Sequence, residues 1–308
     1  MKTAVLEQVE PTQLARPRIA DYAELVRPRI GAMALFTVAV GYLMGAGTEF
    51  KLVILLHTLI GAGLTAAGSS TLNQWLERKS DARMRRTANR PLPAGRLHSA
   101  EALALGLLLG IVGVAFLVWT LPSPAAAIVA AITLVTYVLV YTPLKSVTVW
   151  NTVVGAFPGA LPPVIGWYAA TGKLSVEALP LFAILFVWQL PHFMAIAWLY
   201  KDDYAAGGLR MLPVVDGPDA KVTARAMIGT CVLLIPVTML PGLVGQAGMM
   251  YLIGAIFLSV LFLNCAIEFR KSPTRITAKY VLRSSLLYLT GLMLLLICDG
   301  VVPKLLSR

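Results

Sequence analysis

Long apolar runs, separated by short polar segments, dominate the pattern of this chain. A helix that crosses the hydrocarbon core of a bilayer needs roughly 20 apolar residues in succession. Nine runs approach this length and each predicts one membrane-spanning helix, at about Ile30–Ala46, Leu52–Leu72, Ala102–Leu121, Pro124–Tyr141, Val149–Ala169, Ala178–Leu199, Ala226–Gly242, Gly248–Ile267 and Tyr280–Val301. The pattern therefore predicts an all-α integral membrane protein of about nine transmembrane helices.

The composition supports a lipid environment. Hydrophobic residues make up 58% of the 308 residues and charged residues only 13%, whereas a soluble domain carries about 25% charged residues. So few charges cannot cover a globule of this size. We expect a single transmembrane domain over residues 30–302, preceded by a cytoplasmic tail (1–29) and followed by a short tail (303–308).

The basic residues predict the orientation of the helices. Of the 26 Lys and Arg residues, all but Lys51, Lys173, Lys304 and Arg308 fall in the N-terminal tail or on the side reached by the second, fourth, sixth and eighth helices. Because positive residues stay on the cytoplasmic side, the N-terminus is predicted to be inside. The net charge of +11 then reflects topology. It does not indicate nucleic acid as a partner, because no soluble basic domain is present to bind it.

The connection after the second helix carries an acidic pattern. Asn73, Glu77 and Asp81 are spaced by four residues, which places them on one face of a helix at the cytoplasmic border. Basic residues surround them, so one interpretation is a salt-bridged helix end. The other is a Mg²⁺-diphosphate site, in which the metal ion lies between carboxylates and phosphate oxygens and arginines hold the remaining phosphate oxygens.

The connection after the sixth helix contains the other acidic pair near a span. Asp202 and Asp203 predict a second group of metal ligands that faces the first. His192 lies inside the sixth helix, one turn from Gln189. A lone intramembrane histidine is most often a hydrogen-bonded packing residue, and a substrate contact is the alternative.

These motifs resemble those of the intramembrane (UbiA-type) prenyltransferases. The string of Asn73, Glu77 and Asp81 is similar to the first acidic motif of that family. Four longer strings resemble the family members that farnesylate protohaem IX: DYAELVRPRI, RTANRPLPAGR, YTPLKSVTVWNTVVGAFPGALPPVIGW and PHFMAIAWLYKDDYAAGGLRMLPVV. Two departures are visible. Glu77 stands where the family often has Asp, and Ala206 and Gly207 stand where many relatives have the second acid of a spaced pair.

The resemblance implies a UbiA-type fold around a central cavity that opens to the cytoplasmic side. It also implies a Mg²⁺-dependent reaction in which farnesyl diphosphate gives its farnesyl group to a vinyl group of haem b, yielding haem o and diphosphate. The residues implied as catalytic and metal-binding are Asn73, Glu77, Asp81, Asp202 and Asp203. The residues proposed to contact diphosphate or haem are Arg86, Arg90, Lys145, Asn151, His192, Tyr200, Lys201 and Arg210.

The resemblance also bears on partners and location. Farnesyl diphosphate and haem b are expected as substrates, so haem b is not a permanent cofactor. A multi-pass protein of the bacterial cytoplasmic (inner) membrane is expected, in contact with lipid and with haem A synthase or an oxidase assembly protein as a partner. Two alternatives stay open: a prenyltransferase of the same fold acting on an aromatic quinone precursor or a chlorophyllide, and a secondary transporter. A transporter should place its polar groups near the bilayer midplane, whereas these acids cluster at one border.

Overall fold

The structure is a computed structural model that describes residues 17–303. Within that range nine helices are long and apolar enough to cross a membrane, as the apolar runs predict. They are α1 (Arg18–Ala46), α2 (Leu52–Asp81), α3 (Ser99–Thr120), α4 (Ala125–Leu144), α5 (Asn151–Thr171), α6 (Val176–Leu199), α7 (Lys221–Leu243), α8 (Met249–Lys271) and α9 (Arg275–Val301). The all-α transmembrane architecture is thereby confirmed.

Several helices extend beyond their apolar runs towards the predicted cytoplasmic side, and α1 and α2 extend the furthest. Helix α2 continues past Leu72 to Asp81, because its polar residues remain helical after the hydrophobic stretch has ended. Helix α1 begins at Arg18, and a residue in the left-handed conformation, Arg27, interrupts it before Pro28. Part of the predicted tail is therefore helical, while residues 1–16 and 304–308 lie outside the described range.

Small residues allow the helices around the site to pack closely. On α2, Gly68 faces the backbone of α3, where a Cβ atom would overlap Gly106 and Gly110. Between α1 and α5, a Cβ at Gly41 would overlap the carbonyl of Pro163, and one at Gly166 would overlap the carbonyl of Val38. Such contacts are typical of membrane helices, in which small residues let backbones approach. They hold α3 close to the helix that carries the acidic pattern, and α1 close to α5.

Helix α4 changes its winding where it faces the end of α2. Residues Thr136–Tyr141 are π-helical, and the hydroxyl of Thr142 donates to the carbonyl of Tyr137 at 2.8 Å. Single-turn π segments are frequent at functional sites because they shift the following residues around the helix axis. Here the segment directs Thr142 towards α2.

Candidate active site

Three of the connections predicted to be cytoplasmic meet around the C-terminal end of α2. The backbone N–H of Arg85, in the α2–α3 connection, donates to Asp203 Oδ1 in the α6–α7 connection at 2.9 Å. The backbone N–H of Arg210, in the α6–α7 connection, donates to the carbonyl of Lys145 between α4 and α5 at 2.7 Å. These bonds bring basic residues from distant parts of the chain to the acidic face of α2.

Asn73 is the deepest residue of the acidic pattern. It is buried, and its Nδ2 donates to Thr142 Oγ1 at 3.0 Å. Buried polar groups are nearly always paired, and this bond ties α2 to the end of the π-helical turn of α4. With the amide nitrogen committed, the amide oxygen of Asn73 is the group left to accept a ligand.

One turn further along α2, Glu77 pairs with Lys145. The distance from Lys145 Nζ to Glu77 Oε1 is 2.7 Å, and the two side chains are only 13% and 11% exposed. Burial lowers the pKa of Lys145, but the Glu77 carboxylate and nearby phenol groups outweigh burial and raise it above its ordinary value. The ammonium group also lies 4.5 Å from the ring centre of Tyr141. Lys145 is therefore a permanent buried cation at this site.

Asp81 ends α2 and has one carboxylate oxygen that no donor reaches. Arg90 Nη1 lies 2.6 Å from Asp81 Oδ2, whereas Asp81 Oδ1 is buried and makes no hydrogen bond to any residue of the described range. A buried acceptor without a partner costs about 1–3 kcal/mol, and more when it is charged. Mg²⁺ takes oxygen ligands, so this oxygen fits a divalent cation.

Both interpretations of the acidic pattern find support in these contacts. Glu77 and Asp81 are each held in an ion pair, as a salt-bridged helix end would require. Among residues 17–303, no three His, Cys, Asp or Glu side chains come together as a group that could hold a metal ion. The free oxygen of Asp81 is the feature that ion pairing does not explain.

The second acidic pair lies in the short helix Lys201–Ala206. Asp202 is exposed and lines a surface pocket of about 280 Å³ together with Lys201 and Pro213. Asp203 accepts the hydrogen bond from the backbone of Arg85, so it fastens two connections together. A metal-binding role for either residue stays a prediction.

Two further basic candidates, like Lys145, lie over aromatic rings. The guanidinium of Arg86 lies 4.6 Å from the ring centre of Tyr200 and 5.6 Å from that of Tyr204. The ammonium of Lys201 lies 4.2 Å from the ring of Trp198. Cation–π contacts of this kind hold a cation in place without neutralising its charge. Arg86 can therefore offer a fixed positive charge to an anion.

Asn151 and Arg210 occupy the junction between α5 and the α6–α7 connection. Asn151 is fully buried, and its Nδ2 donates to the carbonyl of Arg210 at 2.9 Å. The guanidinium of Arg210 donates to the carbonyl of Val147 at 3.3 Å. Asn151 thus positions the connection that carries Arg210, while most of the Arg210 side chain faces outward.

His192 packs between α6 and α9. Its Nδ1 lies 2.7 Å from Ser285 Oγ, and its ring stacks on Trp188 with ring centres 5.0 Å apart. Trp188 in turn donates from Nε1 to the carbonyl of Ser285 at 2.7 Å. These contacts agree with a packing role. They leave Nε2 as the ring nitrogen without a hydrogen bond to the described part of the chain, so a substrate contact stays a prediction.

A small apolar hollow of about 40 Å³ lies between α1, α2, α4 and α5. Thr65 and Ser69 of α2 line it, together with Leu35 and Val38 of α1. Residues 65, 69, 73, 77 and 81 are spaced by four, so they follow one face of α2. The hollow therefore begins one turn below Asn73, on the membrane side of the acidic residues.

Two residues at the site carry no distinctive signal in the sequence. Thr142 is an ordinary polar residue at a helix end until Asn73 is seen to bond to it. Arg27 is one of many basic residues near the N-terminus, but its Nη2 is buried and meets no acceptor among residues 17–303. A polar residue next to a helix break, such as Arg27-Pro28, is the only local feature that could have drawn attention to it.

Comparison with known proteins identifies relatives over most of the chain. The UbiA prenyltransferase family matches residues 34–296. Protoheme IX farnesyltransferase of Solibacter usitatus is 47% identical over 287 residues, covering 89% of this chain and 98% of the relative. The protein of the same name from Salinibacter ruber is 46% identical, covering 91% of this chain and 98% of the relative.

Solved structures show the same fold at lower sequence identity. A digeranylgeranylglyceryl phosphate synthase superposes with a TM-score of 0.76 at 20% identity, covering 92% of this chain and 99% of the other. A UbiA homolog from Archaeoglobus fulgidus, bound to GPP and Mg²⁺, superposes with a TM-score of 0.60 at 16% identity and covers 90% of this chain and 99% of the other. Likeness at this level of identity concerns the fold alone.

Proposed function

This chain belongs to the UbiA prenyltransferase family, and from that premise we propose that it farnesylates a vinyl group of haem b, with farnesyl diphosphate as the donor. The observation that carries the proposal is the face of Asn73, Glu77 and Asp81, on which one buried carboxylate oxygen lacks a donor. Two cations, Lys145 and Arg90, stand against that face. The relatives named protoheme IX farnesyltransferase favour haem as the acceptor over a quinone precursor.

We assign the diphosphate end of the donor to this face. Asp81 Oδ1, the Glu77 carboxylate and the amide oxygen of Asn73 are the oxygen atoms that would hold Mg²⁺, which prefers such ligands. When bound, Mg²⁺ neutralises the negative charge that develops on the departing diphosphate. The assignment accounts for a buried carboxylate oxygen that is otherwise unpaired.

The ion pairs are compatible with this assignment because their cations can change partners. A diphosphate carries several negative charges, and Lys145 and Arg90 already lie beside the carboxylates that would hold the metal. On binding, the two cations would turn to phosphate oxygens, as basic side chains do in charge-assisted hydrogen bonds. Neither Lys145 nor Arg90 is left without a partner in either state, which avoids the cost of breaking a buried pair.

The farnesyl chain is assigned to the apolar face that runs along α2 from the hollow, because the hollow itself, at about 40 Å³, holds only part of such a chain. About 18 Å of helix separate Glu77 from Thr65 at 1.5 Å per residue, and the lining residues Leu35 and Val38 are apolar. The carbon–oxygen bond to diphosphate breaks with its electron pair leaving on the diphosphate. A carbon–carbon bond then forms to one vinyl carbon of haem b. A water oxygen bonds to the other vinyl carbon and releases a proton. Apolar walls limit attack of water on the allylic cation before that bond forms.

The cellular placement follows from the charge distribution. We infer an inner-membrane protein with its N-terminus and acidic face on the cytoplasmic side, because basic residues concentrate there. Haem A synthase or an oxidase assembly protein as a partner stays a prediction.

The product identifies the reaction. The chain is expressed in a bacterial strain that does not itself farnesylate haem b. Membranes of that strain should convert haem b to haem o when farnesyl diphosphate and Mg²⁺ are supplied. Mass spectrometry of extracted haems should show the farnesylated, hydrated product, and membranes of the empty strain should show none. Prenylation of 4-hydroxybenzoate in the same membranes, with no change to haem b, would contradict haem as the acceptor.

His192 provides a test of where haem lies. We expect His192→Ala to raise the apparent KM for haem about tenfold, as the loss of a hydrogen bond and a stacking contact would do, with little change in the apparent KM for farnesyl diphosphate. Ser285→Ala is the matched control, because it keeps the imidazole and removes the bond to Nδ1 together with the bond from Ser285 Oγ to the carbonyl of Leu282. Equal effects of His192→Ala on both substrates would argue for packing alone.

A further inference from the structure

The imidazole of His192 is fixed on one side and open on the other. Its Nδ1 lies 2.7 Å from Ser285 Oγ, its ring stacks on Trp188, and Phe193 contacts it edge-on with ring centres 5.5 Å apart. Its Nε2 makes no hydrogen bond within residues 17–303, and the fold does not enclose it as it encloses the unpaired Nδ1 of His57. This nitrogen is therefore accessible to a group that the described part of the chain does not supply.

The contacts of Ser285 determine which ring nitrogen of His192 carries the proton. Ser285 is fully buried on α9, and its hydroxyl donates to the carbonyl of Leu282 at 2.7 Å. A hydroxyl has one hydrogen and two lone pairs, so Ser285 Oγ accepts from Nδ1–H of His192. A charge is costly inside a span, which keeps the ring neutral. A neutral imidazole with its proton on Nδ1 has a lone pair on Nε2.

This arrangement is typical of histidines that ligate a metal ion. Such a histidine donates its other ring N–H to a fixed acceptor, which sets the tautomer and the ring orientation. Here the acceptor is Ser285, and Trp188 is fixed as well because its Nε1 donates to the carbonyl of Ser285 at 2.7 Å. A packing role accounts for the bond to Nδ1 and not for an accessible, unpaired Nε2.

Haem iron is a metal that a single histidine can hold. The macrocycle supplies four nitrogen ligands, so the protein needs to supply only an axial one. Residues 17–303 contain no group of three His, Cys, Asp or Glu side chains that could hold a metal ion by themselves. A lone imidazole with a free lone pair therefore fits a metal that arrives with its own ligands.

A cation lies on the predicted cytoplasmic side of His192, where α6 and α9 come together. Helix α6 ends at Leu199, and α9 begins at Arg275, about 10 Å from His192 and about 15 Å from Ser285 along the two axes. Arg275 Nη1 donates to the carbonyl of Leu199 at 3.2 Å, which joins these ends. Haem has an apolar ring with two carboxylates at one edge. An imidazole within the span and a cation at the border match this division.

Resting on the proposed function, we propose that Nε2 of His192 ligates the iron of the haem b substrate and that Ser285 is the positioning residue for this ligand. Ser285 acts through the hydrogen bond that it accepts from Nδ1–H. An axial bond to His192 fixes the distance of the macrocycle from α6. It thereby limits the positions that the vinyl groups of haem can take during farnesyl transfer.

Iron-free protoporphyrin IX separates ligation from packing, because it shares the ring of haem and has no metal to ligate. Binding of both molecules is measured by absorption titration of the purified full chain in detergent, without farnesyl diphosphate. His192→Ala should weaken the binding of haem about tenfold or more and leave that of protoporphyrin IX unchanged. The resonance Raman spectrum of ferrous haem bound to the wild type should show an iron–histidine stretching band, which His192→Ala should lose.

Ser285→Ala tests the positioning role. It should weaken haem binding about threefold, as the loss of one neutral hydrogen bond would do. It should also shift the iron–histidine band, because the bond from Nδ1–H sets the basicity of the ligand. The matched control is Ser284→Ala, which removes the preceding buried hydroxyl, a donor to the carbonyl of Val281 at 3.0 Å. This control should bind haem and give the band as the wild type does.

Equal weakening of haem and protoporphyrin IX in His192→Ala would overturn ligation, and so would an iron–histidine band that survives the substitution. A lower kcat with unchanged haem binding and an unchanged spectrum would mean a proton acceptor in place of a ligand. A Ser285→Ala band at the wild-type frequency would remove Ser285 from the positioning role. If the wild type ligates haem through histidine and makes no haem o, the proposed function fails while this inference stands.

Discussion

Asp81→Asn is expected to lower the rate of farnesyl transfer by about three orders of magnitude. Removing one group that stabilises transition-state charge costs about 10²–10³ in rate, and this substitution also leaves Arg90 without its anionic partner. Asparagine keeps the size of the side chain but replaces the buried, unpaired carboxylate oxygen with a neutral group. Initial rates of haem o formation, at saturating haem b and farnesyl diphosphate, measure the loss.

A matched substitution separates this effect from a change in overall charge. Asp219→Asn alters an exposed carboxylate in an ion pair with Lys221, with both side chains 70% exposed, and should leave the rate unchanged. Because removal of one member of a buried ion pair is destabilising, rates should be referred to the folded fraction from a thermal melt. The residual rate of Asp81→Asn should match that of the wild type in EDTA. Wild-type turnover would exclude Asp81 from the metal-diphosphate site.

Much of the fold follows from the sequence because the bilayer imposes a simple requirement. Each span needs its own apolar run, so nine runs give nine helices, and Pro or Gly turns separate neighbours such as α3 and α4. The ends of helices follow less directly. Hydropathy reports where the membrane ends and not where the helix ends, which is why α2 continues to Asp81 and α1 begins at Arg18.

Only the part of the site that lies on a single helix can be predicted from the sequence. The spacing of Asn73, Glu77 and Asp81 is a property of one helix, so their common face can be derived from the sequence. Their partners come from other segments: Thr142 bonds to Asn73, and Lys145 pairs with Glu77. With 26 basic residues in the chain, no local pattern tells which of them meet these acids.

The residues that link the connections to one another are also not predictable from a local pattern. Asp203 is predicted as a metal ligand from the sequence, and the hydrogen bond that its Oδ1 accepts from the backbone N–H of Arg85 is visible only in the structure. The backbone turn at Arg27 depends on the hydrogen bond from Gln74 to the carbonyl of Leu25. This bond links positions 49 residues apart. Long-range contacts of this kind require the packed helices.

The Glu77–Lys145 pair allows the two interpretations of the acidic pattern to be separated. If the pair serves only to neutralise charge, each single substitution, Glu77→Gln or Lys145→Met, should destabilise the protein by about 3–5 kcal/mol, as broken buried pairs do. The double substitution should then restore both stability and activity. If Glu77 binds Mg²⁺ and Lys145 binds phosphate, the double variant should regain stability and remain inactive.

We expect the second outcome, with a rate about 10²–10³ below that of the wild type for Glu77→Gln and no recovery in the double variant. Thermal melts in detergent and rates of haem o formation, measured on the same four proteins, complete the cycle. Lys271→Met combined with Glu268→Gln is the control, since that pair is exposed and one turn apart on α8, and it should change neither quantity. Full activity in the Glu77–Lys145 double variant would instead mean a salt-bridged helix end, because a ligand set that can be deleted without loss cannot hold the metal that releases diphosphate.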